Sequence, residues 1–585
     1  MMEELAPENE EQLEAMLRDT RAAAERGDAN AQTNLGVMYR LGRGVARDYA
    51  QAVDWYHKAT DQGHAYAQTD LGIMYALGWG VAQDYAQAVA WFREAADQGD
   101  AGGQYGLGEM YVNGRGVARD FAQAAEWYRK AAEQGDARAQ NSLCQMYANG
   151  QGVARDDTQA SAWCRKAADQ GLAQAQFNLG VIYEEGRGVI QDEAQAIAWY
   201  RKAADQGNAD AQNNLGLMYA DGRGVVQDDA QAVAWYHKAA EQGSAEAQFG
   251  LGKMYLNGRG VARDDAQAFA WFRKAAEQGY ASAQYYLGVM YGDGRGVARD
   301  DVQAVAWYCK AAEQGYASAQ FNLGVAYRDG CRVAQDDAQA VAWFRKAAEQ
   351  GNAFGQAGLG TMYMKGRGVA QDDAQAVEWL RKAADQGNAF AQYCLGVMYE
   401  EGRGVARDDA QAVAWYRKAA DQGNAEAQNS LGLGYIMGRG VMQDDAQAVA
   451  WWRKAADQGN AEAQTSLGVM YRIGRGVAQD DEQAVAWYRK AADQGDADAQ
   501  YDLGVMYIEG RGVTRDDAQA VVWFHKAAEQ GKAQAQHNLG VVYRDGRGVA
   551  RDDAQAVAWY RKAAAQGDVE AQESLRRMEA SGLGK

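Results

Sequence analysis

The sequence predicts an all-α protein, a solenoid of fifteen 36-residue helix-turn-helix repeats, and three observations predict it. Leucine recurs every 36 residues from Leu35 through Leu71 and Leu107 to Leu539 with no insertion, and a fixed period of this length marks stacked supersecondary units. One proline, Pro7, stands against 69 glycines, a composition that suits helices punctuated by glycine. Asp-x-x-Gln, as in Asp408 and Gln411, opens an apolar-periodic stretch once in every repeat, which is a helix-start signal. The repeats span 29–568, between an acidic N-terminal segment with a capping helix over 1–28 and a C-terminal capping helix and tail over 569–585.

Residues 8 to 28 fit one helix in phase with the second helix of a repeat, with Gly27 as its terminator. A typical repeat, 389–424, reads "AFAQYCLGVMYEEGRGVARDDAQAVAWYRKAADQGN". Its first helix ends at the glycines of "GRGV". The second starts after Asp408, whose side chain and that of Gln411 are each expected to satisfy a backbone donor of the first turn. It carries Ala412, Val413, Trp415, Tyr416 and Ala419 on its apolar face and ends at Gly423, after which Asn424 caps the next helix.

Gly396 lies inside the first helix, where glycine costs about 1 kcal/mol relative to alanine. A neighbouring helix backbone is therefore expected to approach it closely, with Tyr399 and Trp415 as the bulky partners. Cys144 replaces this glycine in the fourth repeat and Gly434 replaces the usual methionine in the twelfth, so local repacking is expected at both. The ninth repeat reads "GCRV", which predicts an irregular loop around Cys331 and Arg332. At the far end Arg576 and Glu579 stand where glycine and tyrosine belong, so no further helix is meant to pack there. Polar caps at both ends suit a finite, monomeric solenoid.

The repeat pattern "AxAQxxLGxMYxxGRGVxxDxxQAVxWYxKAAxQG" resembles the Sel1-like repeat, a relative of the tetratricopeptide repeat, over 29–568. The resemblance implies a right-handed α/α superhelix with first helices on its concave side. It also implies adaptor or scaffold work in signalling, protein quality control, envelope regulation or host interaction. Some secreted relatives carry a cysteine pair near each inter-repeat junction and are linked to penicillin binding and β-lactamase activity. Here the junction "KAADQGNAFAQYCLG" holds Cys394 alone, which argues against that version.

A formal charge of −19 argues against nucleic acid, whose phosphates demand excess Lys and Arg. The N-terminal residues have no apolar run after a basic start, so neither a secretory signal nor a membrane span is expected, and the protein reads as cytoplasmic. Five cysteines at irregular places suit a reducing compartment, with Cys144 and Cys164 read as tolerated small substitutions rather than a disulfide. "GRGV" lacks the Lys-Ser/Thr of a Walker loop and the strand context of a dinucleotide turn. His57, His237 and His525 share one repeat position where arginine is usual and read as surface substitutions. Neither a catalytic constellation, nor a cofactor motif, nor a metal site is expected.

With Ala389 as position one of its repeat, positions two, five, six, nine, twelve and thirteen vary among the copies. At about 100° per residue they fall on one arc of the first helix, while the nearly constant positions occupy the rest. A protein or peptide partner is expected on that variable face, with Tyr285, Tyr286, Phe321, Arg328, Phe354, Met364, Phe390 and Tyr393 as its binding residues, a composition enriched in aromatic, Met and Arg side chains. The competing reading is that aromatics at helical spacing are packing, with position five leaning against the next repeat. The second helices, "DDAQAVAWYRKAA", scarcely change and read as a solvated outer face. Alternatives to the adaptor are a β-lactam-interacting enzyme, a self-associating scaffold and a designed consensus array.

Overall fold

The computed structural model describes residues 10–331, 333–580 and 582, and all 32 elements found there are α-helices. They group into two compact units, Met1–Arg299 and Asp300–Lys585, each a stack of two-helix repeats.

The eleventh repeat shows why these residues fold this way. Its first helix, Ala389–Glu401, is capped by Asn388, whose side chain accepts from the Ala391 amide at 2.9 Å. It ends at Gly402 in the left-handed conformation (φ 71°). The second helix, Asp409–Asp421, is capped by Asp408, which accepts from the amides of Ala410 and Gln411, both at 3.0 Å. The reciprocal half of the expected capping box is not formed. The Asp408 amide donates instead to the Tyr399 carbonyl at 3.0 Å, and Gln411 is exposed. This Asp-to-Tyr bond recurs from Asp48 to Asp552 and fixes the turn between the paired helices.

The second correction concerns Gly396. A methyl group there would meet the Tyr416 ring at 2.5 Å and the Ala412 carbonyl at 3.2 Å. The filler is thus the Tyr416 side chain of the same repeat, buried and hydrogen-bonded to Glu400 at 2.6 Å, and neither Tyr399 nor Trp415. Tyr399 lies one turn on, accepting from Arg381 of the preceding repeat at 2.6 Å. Trp415 is covered by Lys418, whose Nζ sits 3.7 Å from the ring centroid, a cation–π contact repeated along the chain. In the fourth repeat both partners change together: Cys144 takes the glycine's place and Cys164 the ring's. The two buried thiols are in contact and free, and Cys164 donates to the Ala175 carbonyl at 3.3 Å.

"GRGV" joins successive repeats. Gly404 has φ 66°, and a Cβ there would lie 2.2 Å from the Asp373 carbonyl of the preceding repeat, so only glycine fits. Between the glycines, Arg403 reaches back to Asp373 at 2.8 Å and to the Met364 carbonyl at 2.9 Å. Two glutamines add a staple: the buried Gln392 donates to the Ala384 carbonyl of the preceding repeat at 3.0 Å and accepts from the exposed Gln422 at 2.7 Å. In the ninth repeat Arg332 lies outside the described residues; on either side the regular bonds persist, Cys331 to Ala326 at 3.1 Å and Asp336 to Tyr327 at 2.9 Å.

A helix over Glu10–Glu25, with Gly27 at φ 97°, precedes the first repeat, while residues 8 and 9 lie outside the described residues. The last helix is Val569–Ala580. Arg576 and Glu579 are exposed on it, and Glu579 receives Arg561 at 3.6 Å where other repeats present a tyrosine.

Candidate functional site

Within each unit the first helices of neighbouring repeats touch, as Ala65–Leu77 does with Ala101–Asn113 in the N-terminal unit and Ala317–Asp329 with Ala353–Lys365 in the C-terminal one. Among the described residues second helices of neighbouring repeats show no comparable mutual contact. The variable positions of those helices form the face on which the candidate residues lie.

The eight candidates divide between the units. Tyr285 and Tyr286 belong to the N-terminal unit, where both are half-buried and their rings meet edge to face at 5.6 Å. Tyr286 also packs on Phe272 at 5.1 Å and on Phe249 at 5.5 Å, which ties it to the preceding repeat. The other six lie in the C-terminal unit. Phe321 is half-buried on the core ring of Phe344 at 5.9 Å and also touches Phe354 at 5.6 Å. Tyr393 packs on Tyr416 at 5.8 Å, and burial raises the pKa of its hydroxyl. Arg328 pairs with its neighbour Asp329 at 2.7 Å. Met364 packs against the same core cluster. Phe354 and Phe390, both at position two, are the open ones, 60% and 51% exposed.

Position five therefore has a packing account. Its aromatic residues lean on the buried ring of their own repeat, as in Tyr105 on Tyr128, Phe177 on Tyr200 and Tyr501 on Phe524, at 5.6 to 6.0 Å, and Phe249 and Phe321 also meet the next repeat at Tyr286 and Phe354. Where position five is threonine, the hydroxyl bonds the residue capping the first helix of the next repeat, Thr69 to Asp100 at 2.7 Å and Thr465 to Asp496 at 3.1 Å. One position thus accepts two chemistries, a ring against a ring or a hydroxyl against a cap. Variability there does not by itself mark recognition.

Two concavities open on the variable face. One, of about 350 Å³ between the sixth and seventh repeats, is lined by Leu217, Phe249, Gly250 and Lys253. The other lies beside Gly434, lined by Leu433 and Met437. None of these but Phe249 is visible from aromatic density. A glycine where most other copies carry a side chain is among the lining residues of each, Gly250 and Gly434.

The histidines at the arginine position are half-buried. His525 Nε2 lies 3.0 Å from the Tyr543 hydroxyl and His237 3.5 Å from that of Tyr255, in the arginine's role, and burial lowers the His525 pKa. Burial also pushes the Cys394 thiol up to about 12. Among the described residues no cluster of three or more His, Cys, Asp and Glu is placed to hold a metal ion, and no helix is long and apolar enough to cross a membrane.

A family model described as Sel1 repeat matches fifteen consecutive 36-residue stretches, from 29–64 to 533–568 without a gap. A crystal structure described as c5321, a protective antigen present in uropathogenic Escherichia coli strains displaying an SLR fold, is 36% identical, covering 83% of this chain and 97% of its own with a TM-score of 0.63. A Sel1 repeat protein from Oxalobacter formigenes is 39% identical over 53% of this chain and 90% of its own, with a TM-score of 0.42. No curated protein matches the chain. Fifteen tandem matches spanning all the two-helix repeats described above place this chain in the Sel1 repeat family.

Proposed function

We propose that the chain is a non-catalytic adaptor that holds a protein or peptide partner on the variable face of its first helices. Proteins of this family generally mediate protein–protein interaction. The observation that carries the reading for this chain is the pair Phe354 and Phe390, large aromatic side chains more than half exposed at the same position of successive repeats. Exposed aromatics cost solvation unless something covers them, and such residues dominate interface energies. The half-buried rings of Phe321 and Tyr393 flank them, with Tyr285, Tyr286, Arg328 and Met364 as further members. The partner is protein, not nucleic acid, in keeping with the charge of −19. Free rather than paired cysteines support a cytoplasmic setting, and the polar residues Arg576 and Glu579 exposed on the last helix support a monomer.

Affinity capture with the intact chain beside an F354S/F390S variant tests this, once circular dichroism shows equal folding. A partner retained by the first and lost at least tenfold by the second is the expected result. Equal retention by both would remove the face from the reading.

A further inference from the structure

Position two stands one residue inside the start of each first helix. In the tenth to fourteenth repeats it reads Phe354, Phe390, Glu426, Glu462 and Asp498, and all five are exposed. Two rings are thus followed by carboxylates in one register on successive helices of the C-terminal unit, from Ala353–Lys365 through Ala389–Glu401, Ala425–Met437 and Ala461–Ile473 to Ala497–Glu509. An acid near a helix start complements the dipole, but the dipole does not dictate the residue here, since the same position carries Tyr66 and Arg138 elsewhere.

The charge of the row is not neutralised from within. Asp498 pairs with Lys532 and ends it. Glu426 and Glu462 meet no cation among the described residues, and each receives a neutral amide instead. Asn460, which caps the next first helix, donates to Glu426 at 3.1 Å, and Asn429 of the preceding repeat donates to Glu462 at 3.0 Å. Asn429 is buried, and the Oδ1 of its amide has no partner among the described residues, which leaves one more acceptor beside Glu462. The basic side chains of these repeats are committed or distant. Lys418 and Lys454 lie over Trp415 and Trp451, with Nζ 3.7 and 3.8 Å from the ring centroids, and Arg472 pairs with Asp502 at 3.7 Å. Lys365 and Arg439 lie at or beyond the other ends of their helices, about 16 Å or more along the axis from position two. Between the rings and the acids, burial and then the charge of Glu426 raise the pKa of the Tyr393 hydroxyl.

We infer that this row binds an extended segment of a partner protein, whose apolar side chains cover Phe354 and Phe390 and whose lysine or arginine side chains, further along the same segment, pair with Glu426 and Glu462. The inference rests on the reading of the variable face as a protein-binding surface and names the chemistry of the partner. Packed helices lie about 8–10 Å apart, and a polyproline II strand returns to the same face every three residues, a distance of about 9.3 Å. Residues i and i+3 then meet the two rings, and i+6 and i+9 meet the two carboxylates in charge-assisted bonds that the chain itself does not supply.

The probes are the acetylated, amidated decapeptide LPPLPPKPPK and its reverse, KPPKPPLPPL, because such a strand can lie along the row in either direction. Each is observed through its leucine methyl resonances with the full chain at low ionic strength. The expected result is millimolar binding of at least one of them, weakened at least fivefold by F354S/F390S and at least threefold by E426Q/E462Q, whose glutamines can still accept from Asn460 and Asn429. E426K/E462K should reverse the preference, taking the peptide with glutamates in place of lysines. No binding of either probe to the intact chain, or equal binding to either of the first two variants, would overturn the proposal. So would self-association of the intact chain, in a sedimentation series, that F354S/F390S abolishes, because a second copy would then cover the rings. A captured partner lost by F354S/F390S and kept by E426Q/E462Q would retain the face as a protein-binding surface and remove the basic segment from it.

Discussion

At Gly396 an added methyl group would lie 2.5 Å from ring carbons of Tyr416, whereas at Gly434 it would meet nothing closer than 3.5 Å. Both are glycines inside first helices, so helix propensity alone favours alanine at each by about 1 kcal/mol. Packing decides the sign. Tyr416 is buried and held by Glu400, so its ring cannot retreat from a methyl group added at Gly396 without losing that bond. G396A is expected to lower stability by about 1–3 kcal/mol through overpacking, and G434A to raise it by about 0.5–1 kcal/mol, as measured by urea denaturation. The recurrence of Gly396 announced close contact, but not which residue made it. Ring and glycine come from neighbouring helices, and their pairing shows in the chain only at the fourth repeat, where Cys144 and Cys164 replace both.

Helix boundaries were legible because the caps are written locally: Asp408 and Asn424 accept from the amides that their positions predict. What holds one helix pair to the next was less so, since it depends on residues 8 to 39 apart that meet only once the helices are stacked. Gln392 and Gln411 illustrate the difference, both recurrent, one buried in a staple and one solvated. Q392L would remove both bonds of the staple at a buried position, at a cost of about 1–3 kcal/mol. Q411A is expected to change stability by less than about 0.5 kcal/mol. Thermal unfolding of the two variants distinguishes these roles, and a large effect of Q411A would restore the full capping box.

For the whole molecule, fifteen copies of one unit average out local noise, which is why the architecture could be read from period alone. In such a stack each repeat is stabilised mainly by its neighbours. The constant positions supply that coupling, and the variable face of the first helices is left free to differ. The candidate site was legible only in part, because variability at position five reflects two ways of packing as well as freedom from it. Exposure separates the cases, leaving Phe354 and Phe390 open and Phe321 and Tyr393 half-covered. The central claim is that binding uses this face and not the uniform second helices. Side-chain footprinting of the chain with and without its captured partner tests it most directly. The account predicts protection of Phe354 and Phe390, with no change at Val302 and Val522, exposed residues of second helices. Protection at Val302 and Val522 with Phe354 and Phe390 still reactive would contradict it.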